Sequence, residues 1–378
     1  MKVLHVAPNI SRAYGGPTYS LAAYARASTS AGAEISIAAP APPASDRWLA
    51  NQLPDAELNV FRTHGRGAFL ASPALHSWLS AHGARFDVVH VHGLLNPVSS
   101  LAARACARRS WPFVIRPFGT LSRYTFSHRR GALKELYSEW LDRPNLRRAS
   151  AVHFTTTVER DESAWQGIDW GPRAFVIPPP WVESRAVAPR TIRAKRRTVL
   201  FLSRLHPVKR VGLLLAAWPL VTMQRPEARL LIAGDGDPAL VRALRDQAAP
   251  LGSCVQFLGF IEGAEKAALL GESDVFVLPS QHENFGIAVL EALAWGLPVV
   301  LTKEVQLSGF AAEHSLGVIS GDSAEALASA IVEALDDDLL AARCREYGAG
   351  VVARYFSVES VGRQLMDMYS FSLDHTPA

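Results

Sequence analysis

The chain has 378 residues, 49% hydrophobic and 20% charged, with a formal net charge of +4; single hydrophobic cores stop growing near roughly 250 to 300 residues, so two domains are expected. That composition excludes a mainly disordered, collagen-like or coiled-coil chain. Three cysteines, Cys106, Cys254 and Cys344, lie far apart without a C-x-x-C pair, which argues against a zinc cage or a disulfide framework and for a reducing, cytoplasmic setting.

The N-terminus reads as a first strand and not as a signal peptide, because its short apolar run meets Asn9 and then Gly15-Gly16. From there, β-branched runs alternate with helical stretches, the pattern of β-α-β units and an α/β fold. In the first half, strands are predicted at 3–7, 35–39, 88–92, 113–116, 151–155 and 175–177, and helices at 18–31, 97–108, 133–148 and 158–165. Pro178-Pro179-Pro180 ends this series, and a basic stretch follows in which Arg185, Arg190, Arg193, Lys195, Arg196 and Arg197 fall within 13 residues that hold no acid. The positive excess is therefore local, and no nucleic-acid partner follows from it.

The pattern restarts with strands at 199–202, 229–233, 255–258, 275–278, 299–301 and 317–319, and closes with helices at 323–335, 339–353 and 358–372. The expected division is an N-terminal domain over 1–184, a basic linker over 185–197, a second α/β domain over 198–355, and a last helix over 356–378 returning toward the first domain. The longest apolar stretch, 287–301, contains Glu291, Gly296 and Pro298 and falls short of the roughly 18 residues a spanning helix needs.

Four clusters carry chemistry. After strand 275–278, a loop with His282, Glu283, Asn284 and Phe285 leads into a helix starting near Gly286, whose free N–H groups and positive dipole end suit a phosphate or sugar oxygen. Glu291 follows on a helix that is otherwise apolar all round and so expected to be buried, where its carboxylate needs either ligand hydroxyls or backbone amides. At the exit of strand 199–202, Arg204 and Lys209 could neutralise a pyrophosphate, or form a solvated basic loop. Gly15-Gly16, between the first strand and helix, lets the backbone approach a phosphate.

His90 and His92, ending strand 88–92, share one face by period-two geometry. With no third ligand at a sensible spacing, the reading is a packed His90 and an open His92 rather than a metal pair. Neither Gly15-Gly16 nor Gly234-Asp235-Gly236 completes G-x-G-x-x-G, so a nicotinamide site is poorly supported, and no P-loop signature is present.

Together these clusters resemble one family. Glu283 and Glu291 form E-x7-E, Arg204 and Lys209 form R-x4-K, and Gly15-Gly16 matches a glycine loop. The chain is similar, over nearly its whole length, to retaining glycosyltransferases of family 4. The resemblance implies a GT-B fold: two Rossmann-like, doubly wound domains with a cleft between them. It implies that Arg204 and Lys209 bind the diphosphate of a nucleotide-sugar donor, that Glu291 binds ribose hydroxyls, and that Glu283 stabilises the transferred sugar. It gives Asn284, Phe285, Gly286 and Ile287 donor contacts, Gly16 a phosphate contact beside Gly15, and His92 a position that reaches the sugar. The donor is a co-substrate, no metal or other cofactor is expected, and the acceptor is a glycan or a lipid-linked molecule. The alternatives are another GT-B enzyme, such as a nucleotide-sugar 2-epimerase, and a non-catalytic sugar-nucleotide-binding subunit.

One departure is Phe118 in Arg116-Pro117-Phe118-Gly119-Thr120-Leu121, where many members carry a polar residue. A second feature lies between Arg123 and Arg148, where seven cations face three acids and aromatics are interleaved. Two readings stay open there: peripheral contact with an anionic membrane at the inner face, or an ordinary amphipathic helix whose Leu136 and Trp140 supply a core face.

Overall fold

A computed structural model describes residues 1–64, 70–127, 130–181, 198–283 and 285–375. The expected linker, 185–197, lies outside the described residues, as does Asn284. The chain divides into two compact units, Met1–Val182 with Phe356–Ala378, and Glu183–Tyr355.

The first unit holds a parallel sheet of β1 (Lys2–Val6), β2 (Glu34–Pro40), β3 (Glu57–Phe61), β4 (Val88–His92), β5 (Phe113–Arg116), β6 (Ala151–Phe154) and β7 (Ala174–Val176), in the order β3-β2-β1-β4-β5-β6-β7. The second holds β8 (Thr198–Leu202), β9 (Arg229–Ala233), β10 (Val255–Gly259), β11 (Val275–Leu278), β12 (Val299–Thr302) and β13 (Gly317–Ser320), in the order β10-β9-β8-β11-β12-β13. All pairings are parallel. The central strands are buried along nearly their whole length, as parallel strands covered on both faces must be. In each sheet the strand order reverses once, between β1 and β4 and between β8 and β11. In such sheets ligands bind outside the carboxyl ends of the strands at that reversal. The loops that leave β1, β8 and β11 hold Gly15-Gly16, Arg204 with Lys209, and Glu283, while His90 and His92 stand at the end of β4 itself.

The last helix, Val358–Asp374, belongs to the first unit and packs on the helix Gly16–Ser30. Its Gly362 permits the approach, since a Cβ there would stand 2.5 Å from the Ala27 carbonyl oxygen.

Three differences from the sequence reading stand out. β3 and the helix Pro73–His82 were not anticipated. The helix expected over 133–148 is a run of Gly131–Tyr137, a π segment Ser138–Asp142 and Arg143–Arg148. Its Leu136 and Trp140 do not form a core face: they are 57% and 72% exposed.

The π segment carries Asp142 into the interior, where its carboxylate accepts from Leu95 N (2.9 Å) and Ser100 Oγ (2.5 Å). Burial raises its pKa from the ordinary carboxylate range to about 6. The folded state thus favours the neutral acid. Its stabilising contribution is complete below the unfolded pKa, near 4, and is lost as pH rises through about 6. Asp142→Asn, which keeps the shape of the neutral form, is expected to gain roughly 3 kcal/mol on the native protein at pH 8 and less than about 1 kcal/mol at pH 4. Denaturant melts at the two pH values check this, and equal differences at both would show that Asp142 does not titrate in this way.

Candidate active site

In the second unit, the chain leaving β8 turns through the short 3-10 segment Pro207–Lys209, and Gln281 N donates to Val208 O (2.8 Å), tying the loop after β8 to the loop after β11. Lys209 Nζ then pairs with the Glu283 carboxylate, the two side chains being 12% and 18% exposed. Glu283 is fixed by its backbone, whose N–H donates to Glu304 O and whose carbonyl accepts from Gln306 N, both at 3.3 Å. Arg204, five residues before Lys209, is exposed.

Gly286 takes φ +88°, a left-handed conformation that favours glycine, and starts the helix Ile287–Ala294 without a side-chain cap. The first N–H groups of that helix therefore face the loop that holds Glu283. The helix is not buried all round, contrary to the sequence expectation. Val289, Leu290, Ala292, Leu293 and Ala294 are buried, whereas Ile287, Ala288 and Glu291, spaced at i, i+1 and i+4, form a partly open face. Glu291 answers its need for a partner with Lys266 Nζ, 2.5 Å from Oε1. Phe285 is buried beneath the loop. Gly234 and Gly236 serve packing: added Cβ atoms would stand 1.9 Å from Ser203 O and 2.0 Å from Leu205 O. They let the loop after β9 lie against the loop after β8.

In the first unit, Gly15 has φ +76° and precedes the helix Gly16–Ser30, which again lacks a side-chain cap. A Cβ at Gly15 or Gly16 would meet nothing within 4 Å. Room for a ligand exists on this side.

His92 is not open as expected from the sequence; it is 1% exposed. Its Nε2 lies 2.8 Å from His5 Nδ1, and its ring stacks on His90. His153 Nε2 donates to Ile177 O (2.8 Å), so its Nδ1 accepts from His90 Nε2, and His90 Nδ1 in turn accepts from Tyr369 Oη at 3.0 Å. Burial lowers the pKa of all four imidazoles, and Arg116 lowers them further. His5 supplies the third neighbour that the sequence did not, and ligand atoms of His5, His90 and His92 lie within 4.8 Å of one another. A dication is nonetheless poorly served here, because both His90 nitrogens are engaged and a guanidinium stands beside the group.

Two family models cover the chain: "Glycosyl transferase 4-like domain" over residues 15–180 and "Glycosyl transferases group 1" over residues 184–351. The phosphatidyl-myo-inositol mannosyltransferase of Mycolicibacterium smegmatis is 30% identical over 98% of this chain and 93% of its own. That of Mycobacterium leprae is 34% identical over 79% and 77%. The chain belongs to the family 4 glycosyltransferases. Its fold is GT-B, shared with Anabaena Alr3699/HepE in complex with UDP and glucose (TM-score 0.75, 19% identity, 98% of this chain and 99% of that one). A sucrose-phosphate synthase from Thermosynechococcus elongatus has the same fold (TM-score 0.75, 18% identity, 98% of each chain).

Sequence reasoning missed several residues that stand against the candidate site residues of this glycosyltransferase. Lys266 stands on the separate helix Gly263–Glu272, and its signal was a lone cation in a helix otherwise apolar or acidic. His5, Arg116 and His153 each interrupt a buried apolar strand, and only the sheet order brings them together.

Proposed function

We propose that this protein transfers a hexosyl group from a nucleoside diphosphate sugar to a glycan or lipid-linked acceptor, with retention of configuration. The observation that carries the reading is the Lys209–Glu283 pair beside the uncapped helix at Gly286, at the β8/β11 reversal. In the free protein the two side chains neutralise each other. An arriving diphosphate competes for Lys209, with Arg204 and the helix end sharing the charge, and frees the Glu283 carboxylate for the sugar. As the sugar–phosphate bond breaks, the cations hold the leaving diphosphate and Glu283 faces the positive charge developing at the anomeric carbon. The acceptor attacks the face from which the diphosphate departs. The mannosyltransferase relatives support a hexosyl donor and a lipid-borne acceptor.

Incubation of the purified chain with UDP-, GDP- and ADP-sugars, followed by NMR of released or transferred sugar, tests this. Slow hydrolysis of one donor with the anomeric configuration kept is expected. Inversion, or inert donors throughout, would refute it.

Glu291 and Lys266 meet the nucleotide away from the reacting bond, so their contribution is the same in ground and transition states. Glu291→Gln is therefore expected to raise the donor KM about tenfold with kcat changed less than about twofold. A larger fall in kcat than rise in KM would move Glu291 to the reacting end.

The helical run 131–148 supports contact with an anionic bilayer. Leu133, Leu136 and Trp140 form an exposed stripe at i, i+3 and i+7. Arg143 pairs with Glu135 and Glu139 and Asp142 is buried, so among the described residues the remaining cations of this segment are Arg123, Arg130, Lys134, Arg147 and Arg148; Arg129 lies outside them. Each cation near an anionic surface contributes about 1 kcal/mol. Co-sedimentation with phosphatidylserine vesicles and not with neutral ones is expected, and Leu136→Glu with Trp140→Glu should abolish it. Absence of binding to either vesicle would end this reading.

A further inference from the structure

The carboxyl end of the first sheet holds a polar cluster that donor binding leaves unused. Register sets His5 beside His90 and Arg116 beside His92, and alternation along β4 puts all four on one face. Arg116 is 2% exposed, yet among the described residues no carboxylate lies within ion-pair distance of it. Its hydrogen bonds go to Ser20 Oγ (3.2 Å) and Thr155 Oγ1 (3.4 Å), and its guanidinium otherwise faces the rings of Tyr24 (4.3 Å) and Phe118 (4.0 Å). Glu159, whose charge reaches Arg116, is occupied by the amides of Gly119 (2.5 Å) and Thr155 (2.7 Å). Arg116 Nε, His5 Nε2 and His92 Nδ1 are buried without partners. A buried cation and several orphan nitrogens are costly unless something supplies charge and acceptors.

Phe118 covers this cluster in an unusual way. Its φ is +61°, an outlier for an aromatic residue, and the Glu159 clamp on Gly119 holds the turn there. Strain of this kind persists only where the surroundings enforce it.

We propose that Arg116, with His5 and His92, forms an oxyanion site for a phosphate or carboxylate carried by the acceptor, and that Phe118 caps it in the free protein. The assignment to an acceptor rests on the transferase reading above. An oxyanion would give Arg116 a directly bonded counter-charge and accept from Arg116 Nε and from whichever of His5 Nε2 and His92 Nδ1 carries the hydrogen, the other ring using its own in the His5–His92 bond. The cap keeps the group out of water until then.

Inorganic phosphate titrated into the full chain, with imidazole C2–H resonances followed by NMR, tests the site. Saturable shifts of His5 and His92, assigned by single substitution, are expected and should persist in saturating UDP or GDP. Phe118→Ala should tighten phosphate several-fold, and Arg116→Gln should weaken it about tenfold or more. Should Arg116→Gln not fold, the wild-type titration and Phe118→Ala decide. Absence of shifts, shifts produced by UDP or GDP alone, or unchanged affinity in Phe118→Ala would overturn the site. Donor turnover without the phosphate response removes this site alone; the response without donor turnover keeps the site and removes its assignment to an acceptor.

Discussion

Lys209→Ala is expected to lower kcat/KM for the nucleotide sugar about 10²- to 10³-fold, the usual consequence of deleting one preorganised group from a site of developing charge. Two effects contribute. The variant loses the cation opposite the leaving diphosphate, and it leaves the Glu283 carboxylate half-buried without its partner. The second effect makes the site more negative and repels the donor. Lys209→Ala with Glu283→Gln should therefore cost less than the sum of the single changes, since the double variant removes that repulsion. The fold should persist, because Lys209 stands on a short loop turn and not in either sheet. Steady-state kinetics with limiting donor measure all three variants. Turnover within about twofold of wild type in Lys209→Ala, with a known loss of at least tenfold per charged contact as the yardstick, would remove Lys209 from the diphosphate site.

What the sequence revealed divides along a physical line. Strands such as β8 and β11 were legible because burial on both faces leaves a nearly continuous apolar run. β3 was not: Glu57–Phe61 is an edge strand whose residues are partly or wholly exposed, and Glu57 and Asn59 break its apolar residues into a mixed sequence without a continuous run. As candidates, Glu283, Glu291 and Lys209 were legible because each lies at a fixed distance from a strand end in its own segment. Their partners were less so. The Lys209–Glu283 contact depends on β8 and β11 being neighbours, and Lys266 meets Glu291 from another helix. The same limit explains His92: its burial follows from rings supplied by β1 and by its own strand, which no single segment displays. Gly234-Asp235-Gly236 shows the opposite case. The spacing suggests a phosphate loop, and the close carbonyls of Ser203 and Leu205 give it a packing reason instead.

Glu283→Gln is expected to act in two directions at once. Turnover should fall about 10²- to 10³-fold, because the amide keeps the shape of the carboxylate and loses the charge that faces the anomeric carbon as the bond breaks. Binding of the nucleoside diphosphate should instead tighten several-fold. In the native protein Lys209 is engaged by Glu283 before the donor arrives, so the diphosphate must displace an ion pair. With glutamine there, the lysine is released from that competition, and a charge-assisted bond to phosphate replaces a weaker one to the amide. A merely structural Glu283 would not give this pair of results, since loosening the loop that holds Lys209 would weaken nucleotide binding together with turnover. Calorimetric titration with UDP or GDP, set beside kcat for the same preparation, separates the cases. Weaker nucleotide binding in Glu283→Gln would show that the carboxylate positions the loop, and turnover near the native value would show that it does not face the reacting carbon.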